Sequence, residues 1–136
     1  MHVRRLVPLL VAAAVLGGAA ARTPILAFDR IQPGAWQLRA LGSKDPAQRI
    51  CIADAYDLIQ LRHPSAACSR FVLTNEAGTA TVHYTCTGNG YGRTTIKVET
   101  PGLIRIESQG LVDRAPFQST FEARRLGECA VGASAR

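Results

Sequence analysis

Thr94-Thr95-Ile96-Lys97-Val98-Glu99-Thr100-Pro101-Gly102-Leu103-Ile104-Arg105-Ile106-Glu107-Ser108 is the stretch whose alternation decides the fold. Ile96 and Val98 alternate with Thr95, Lys97 and Glu99, and Ile104 and Ile106 alternate with Arg105 and Glu107. A period of two marks half-buried strands. Pairing Ile96 with Ile106 and Val98 with Ile104 keeps both apolar sets on one face, with Thr100-Pro101-Gly102 as a three-residue loop ending in glycine. On the other face Glu99 falls diagonal to Arg105, and Lys97 diagonal to Glu107, which suits a solvated side.

The same reasoning extends in both directions. Residues 69–74 and 79–85 read as strands around Asn75-Glu76-Ala77-Gly78, with Gly78 expected in a left-handed conformation. That register pairs Asn75 with Thr79 and, carried outward, sets Cys68 opposite Cys86. Phe117, Ser119, Phe121 and Ala123 line one face of a last strand, while Gly34-Ala35-Trp36-Gln37-Leu38-Arg39 reads as a first. Residues 22–32 form a lead-in without period, and residues 41–49 read as a loop. A short helix is expected from Asp54, which can cap it, with Asp57 in the first turn and Pro64 as its stop. The expected fold is mainly β (α+β). It is an antiparallel meander of about six strands, as a curved sheet or a partly closed barrel, with one short helix after the first strand.

The N-terminus frames this domain. Met1-His2-Val3-Arg4-Arg5 is basic, residues 6–16 are apolar, and Ala19-Ala20-Ala21 supplies small side chains. These are the three parts of a secretory signal peptide, and the apolar run is shorter than a membrane-spanning helix needs. Residues 1–21 are expected to be removed, leaving residues 22–136 as a single periplasmic or secreted domain with no stable membrane span. Losing Arg4 and Arg5 lowers the formal charge from +6 to +4. Arg124-Arg125 is the only adjacent basic pair in the remainder, so the clustered basic face of a nucleic-acid binder is missing.

All four cysteines, Cys51, Cys68, Cys86 and Cys129, lie beyond the leader. An even count in an oxidising compartment reads as two disulfides. The hairpin register selects Cys68–Cys86, because directly opposed residues come within disulfide range. Cys51–Cys129 follows by elimination. Each bridge is worth about 3–4 kcal/mol in the chain-entropy model. No Cys-x-x-Cys occurs, so neither a redox motif nor a zinc knuckle is indicated.

Residues that carry chemistry are sparse. His83 sits mid-strand without a recognisable partner, and His63 precedes Pro64 at the expected helix end, where a cation favours the dipole. Capping accounts for Asp54 and Asp57, and Glu99 and Glu107 belong to the solvated face. Ser108 and Ser119 lack a nucleophile-elbow setting. Gly88-Asn89-Gly90-Tyr91-Gly92-Arg93 is glycine-rich but joins two strands, so it reads as a flexible hairpin connection rather than a phosphate loop. No catalytic residue, metal site or cofactor is expected.

The cysteine frame and its flanks resemble an exported bacterial group, domain-of-unknown-function family 3617. The resemblance rests on Pro33-Gly34-Ala35-Trp36, Cys51 and the segment after it, Cys68, Cys86 with Gly88, and Arg124-Arg125-Leu126-Gly127-Glu128-Cys129. It spans essentially all of residues 22–136. It implies an envelope location and a disulfide-stapled domain, and it brings no established activity. Methionine-rich middle strands are common in that group, whereas the only Met here is the initiator. A methionine-based soft-metal role is therefore not carried over.

The function expected is non-catalytic binding of a small ligand, an envelope component or a protein partner. Trp36, Tyr91, Arg93, Arg124 and Arg125 are the contact candidates, although Trp36 fits a core position better. Two alternatives stand beside it: an envelope hydrolase or transferase centred on His83, and a small inhibitor of an envelope enzyme. A loop protruding at residues 88–93 would mark the inhibitor, and an apolar cavity would mark a small-molecule carrier.

Overall fold

A computed structural model describes residues 22–130, so the leader expected at 1–21 lies outside the described residues. Seven antiparallel strands form one sheet: β1 (Gly34–Ala40), β2 (Gln48–Ile52), β3 (Cys68–Asn75), β4 (Thr79–Cys86), β5 (Gly90–Thr100), β6 (Leu103–Val112) and β7 (Ala115–Gly127). Their order is β2-β1-β7-β6-β5-β4-β3, and the sheet is not closed. The meander β3 to β7 is as expected, but the strand count is seven rather than six. The addition is β2, within and just beyond the segment read as a loop. Its Ile50 and Ile52 turn inward while Arg49 and Cys51 turn out, too short an alternation to stand out between polar turns.

The expected short helix is a 3-10 turn, Ala55–Leu58, and it follows the second strand rather than the first. Asp54 caps it as anticipated, its carboxylate accepting from the Tyr56 N–H at 2.9 Å. A second 3-10 turn, Leu26–Arg30, lies in the lead-in segment and buries Ala27 and Phe28. Asn75 ties this segment to the end of β3, donating to the Pro24 carbonyl and accepting from the Leu26 N–H.

The β5–β6 and β3–β4 hairpins use the same device. Ile96 faces Ile106 and Val98 faces Ile104, as the alternation requires, but the register then shifts so that Thr100 faces Leu103. The turn is therefore two residues, Pro101 and Gly102, with a bulge at Glu99. At the β3–β4 hairpin, Glu76 and Thr79 exchange backbone hydrogen bonds across Ala77-Gly78. Gly78 is not left-handed. Leu73 is the extra residue, and this bulge moves the register by one so that Cys68 stands opposite Cys86. Both expected disulfides are present, Cys68–Cys86 with Cα atoms 4.1 Å apart and Cys51–Cys129 at 5.6 Å.

The core lies on the inner face of the sheet. Trp36, Leu38, Ile52, Val82, Tyr84, Ile96, Ile104, Ile106 and Ala123 point into it, joined by Ile25, Phe28 and Ile31 from the lead-in segment and by Leu58 and Ile59. The last two belong to residues 53–67, which must travel from β2 at one sheet edge to β3 at the other. Burying Leu58 and Ile59 is worth about 1.5–3 kcal/mol each.

The turn between β6 and β7 places Asp113 (φ 49°) and Arg114 (φ 66°) in the left-handed region. Aspartate tolerates that conformation, whereas arginine carries a Cβ penalty there. Arg114→Gly should therefore stabilise the protein by about 0.5–1 kcal/mol in urea unfolding, the penalty relieved less the added chain entropy. A loss of stability would contradict the assigned turn.

Candidate functional site

The inner face is stitched by polar groups where the crossing segment lies on it. Thr94 Oγ1 donates to the Ile59 carbonyl at 2.6 Å, so Ser108 Oγ must donate to Thr94 at 2.8 Å. His63 is buried against the sheet: the Asn89 carbonyl accepts from Nε2 at 2.9 Å, and Nδ1 meets the Tyr84 hydroxyl at 3.0 Å. Burial pushes the Tyr84 phenol above its ordinary value, outweighing Ser108 and Arg62. Gln60 donates to the His63 and Ala66 carbonyls and accepts from Arg70 at 2.7 Å. Among the described residues every buried side-chain N or O is satisfied.

This arrangement explains the glycine-rich segment differently from its sequence. Gly90 to Arg93 are part of β5, and only residues 87–89 form the turn. Gly92 stands directly opposite Tyr84, and a Cβ on Gly92 would collide with the Tyr84 ring. Gly90 to Arg93 are paired on both sides, with β4 and β6, so the long protruding loop that would mark an inhibitor is not found there.

The five contact candidates divide. Trp36 is 0% exposed and donates from Nε1 to the Gln32 carbonyl, so it belongs to the core and is not a contact residue. Arg125 also serves the fold, donating to the Pro33 carbonyl at 3.0 Å and pairing with Glu128 at 2.6 Å. A side chain at Gly34, where φ is +143°, would meet the Arg125 guanidinium and the Gly127 carbonyl. The Gly-x-Trp opening and the Arg-Arg-x-Gly-x-Cys close thus interlock at the β1–β7 bulge. Arg124 is exposed and pairs with Glu122 at 3.3 Å.

Tyr91 and Arg93 come together on the outer face. His83, Arg93, Gln109 and Gln118 are register partners across β4, β5, β6 and β7, forming one row. Phe71, 67% exposed at the free edge of β3, extends that row beyond His83. Tyr91, 46% exposed, lies two residues along from Arg93, with its ring centroid 6.0 Å from that of His83. His83, Tyr91, Arg93, Gln109 and Gln118 line an open hollow of about 580 Å³ that Pro116 borders. Among the described residues Arg93 makes no side-chain hydrogen bond or ion pair, and the polar contact of His83 is a long one to Thr85 at 3.5 Å. Gln109 and Gln118 were not foreseen. Three further steps of the Ile96–Ile106 register would have set Gln109 opposite Arg93.

A larger groove of about 1260 Å³ opens between the β1–β2 turn, residues 57–66 and β7. Leu38, Ile50, Leu61 and Phe121 give it apolar walls, while Asp45, Asp57, Arg62 and Arg70 bring charges of both signs. Burial and the neighbouring Asp54 hold Asp57 above its ordinary value, against opposing effects of Arg70 and Arg22. Among the described residues there is no group of three or more His, Cys, Asp or Glu placed to hold a metal ion, and no helix long and apolar enough to cross a membrane. No family model, no curated protein and no solved structure matches the chain.

Two expectations follow. A raised Asp57 binds its proton more tightly in the folded state, so the ionised carboxylate destabilises the fold at neutral pH and protonation relieves this as pH falls. Asp57→Asn should raise the melting temperature at pH 7, with a smaller gain at pH 3; an equal gain at both would show that the charge is not responsible. Gly92→Ala, which overpacks the Tyr84 ring, should cost about 1–3 kcal/mol in denaturant unfolding. A neutral result would contradict the contact.

Proposed function

We propose that this is an exported, periplasmic or secreted, non-catalytic domain that binds an envelope component through the outer face of its sheet. The observation that carries the reading is the gathering of Tyr91, Arg93, His83, Gln109 and Gln118 into one exposed hollow. The core and the crossing segment occupy much of the inner face, whereas these outer-face groups have few internal partners. Exposed aromatic and arginine side chains on a rigid scaffold are the usual composition of a binding surface.

Two disulfides support an oxidising compartment. Arg22, the first residue after the leader motif, is held against the domain. Arg22 pairs with Asp54 at 3.0 Å and stacks over Tyr56, whose hydroxyl donates to the Thr23 carbonyl. The same reading keeps the resemblance to domain-of-unknown-function family 3617, and the terminal motifs on which it rests form a structural clamp in this chain. The hydrolase alternative draws no support from His83, which has no carboxylate hydrogen bond among the described residues to orient it as a base.

Native mass spectrometry on protein gently isolated from its own cell envelope tests this. The wild type should carry an additional bound mass that Tyr91→Ala and Arg93→Gln lose without a drop in melting temperature. A bound mass retained by both variants would overturn the outer-face site, and an unliganded wild type would overturn retention of an envelope component.

A further inference from the structure

We propose that the outer-face hollow takes a carboxylate-bearing glycan, laid along the His83–Arg93–Gln109–Gln118 row with one sugar ring on Tyr91. The proposal rests on the outer face being the binding surface and adds the chemical class of its ligand.

Three features of the hollow point there. Its row crosses four neighbouring strands, a span of about 14 Å at the inter-strand spacing, so it suits an extended ligand rather than a compact one. Gln109 and Gln118 each offer both donor and acceptor atoms, as His83 does when neutral. Sugar hydroxyls also donate and accept, so such side chains match them better than they match an apolar peptide side chain. Tyr91 supplies a half-exposed ring against which the C–H face of a sugar can pack, with its hydroxyl left for solvent or a ring substituent.

Arg93 decides the charge of the ligand. It lies between His83 and Gln109 with no carboxylate within 4.0 Å among the described residues, and its planar guanidinium is shaped to take a carboxylate in two parallel hydrogen bonds. The formal charge of +4 left after leader removal draws a polyanion toward the protein. Glu107 faces Thr95, diagonal to Arg93, and borders the neighbouring hollow that Arg93, Gln109 and Gln118 share. It repels a polyanion extending that way and so favours the side of the row that His83 and Tyr91 line. An acidic peptide would meet the same arginine, but it would use neither the amides nor the ring in this way.

The test is a nuclear magnetic resonance titration of the isotope-labelled protein with both disulfides intact. The probes are an oligogalacturonate, its neutral methyl ester and an oligoglutamate of equal charge. The oligogalacturonate should shift signals of Tyr91, Arg93, Gln109 and Gln118 and bind at least tenfold more tightly than either control. Arg93→Gln should bring acid and ester to the same weak affinity, and Tyr91→Ala should remove binding of both. Equal binding of the ester would overturn the carboxylate requirement. An oligoglutamate as tight as the glycan would make the ligand an acidic polypeptide. No saccharide shift at this face would overturn the glycan class, while a Tyr91-dependent mass on the envelope-isolated protein would leave the binding reading standing.

Discussion

The path of residues 53–67 sets the terms for the rest of the structure. β2 and β3 are consecutive in the chain yet occupy opposite edges of the sheet, so their connection must cross the inner face. Such a crossing carries backbone carbonyls and polar side chains into the core, where an unsatisfied group costs about 1–3 kcal/mol. Thr94 answers the Ile59 carbonyl, Gln60 answers two carbonyls of its own segment, and His63 joins Asn89 to Tyr84. The sheet residues beneath are accordingly threonine, serine and glycine rather than the isoleucines found lower on the same strands. Leu58 and Ile59 add apolar burial to this polar anchorage.

The consequence for function is a division between the two faces. Apart from the groove beside Leu38, Ile50 and Phe121, the inner face serves folding, including the interlock of Gly34, Trp36, Arg125 and Gly127 near the Cys51–Cys129 bridge. The outer face alternates charges over much of β5 and β6, with Lys97, Glu99, Arg105 and Glu107 arranged as solvated neighbours. Toward the Gly90 end of β5 that pattern gives way to Phe71, His83, Tyr91, Arg93 and two glutamines. Charge alternation is what a solvated sheet face requires, and this group departs from it.

Much of the fold was legible in local patterning. The Ile96–Ile106 and Val98–Ile104 pairs, the Cys68–Cys86 bridge and the Asp54 cap all followed from period, register and capping chemistry. The bulges at Leu73 and Glu99 were not legible, because a two-residue turn plus a bulge and a three-residue loop leave the same cysteine and isoleucine pairs in place. β2 escaped notice because five residues with two inward isoleucines carry too little alternation. Trp36 and Arg125 are contact candidates by residue type, with Trp36 the better fit to a core, but only tertiary placement reveals that they meet each other. Tyr91 and Arg93 were legible as unusual residues. Their common hollow was not, since it is assembled from four strands and hidden behind a run of glycines that reads as a flexible loop.

Native-state hydrogen exchange on the crossing segment tests the central claim most directly, that this segment is a fixed part of the core and not a flap over a ligand cavity. The Ile59 and His63 amides, bonded to the Tyr56 and Gln60 carbonyls, should exchange only with global unfolding, at the rate of the central amides of β5 and β6. Exchange of Ile59 and His63 well ahead of those strands would mean that the segment opens independently. The inner face beneath residues 53–67 would then be accessible to ligand as well as the groove beside it, and the division of labour between the two faces would fail.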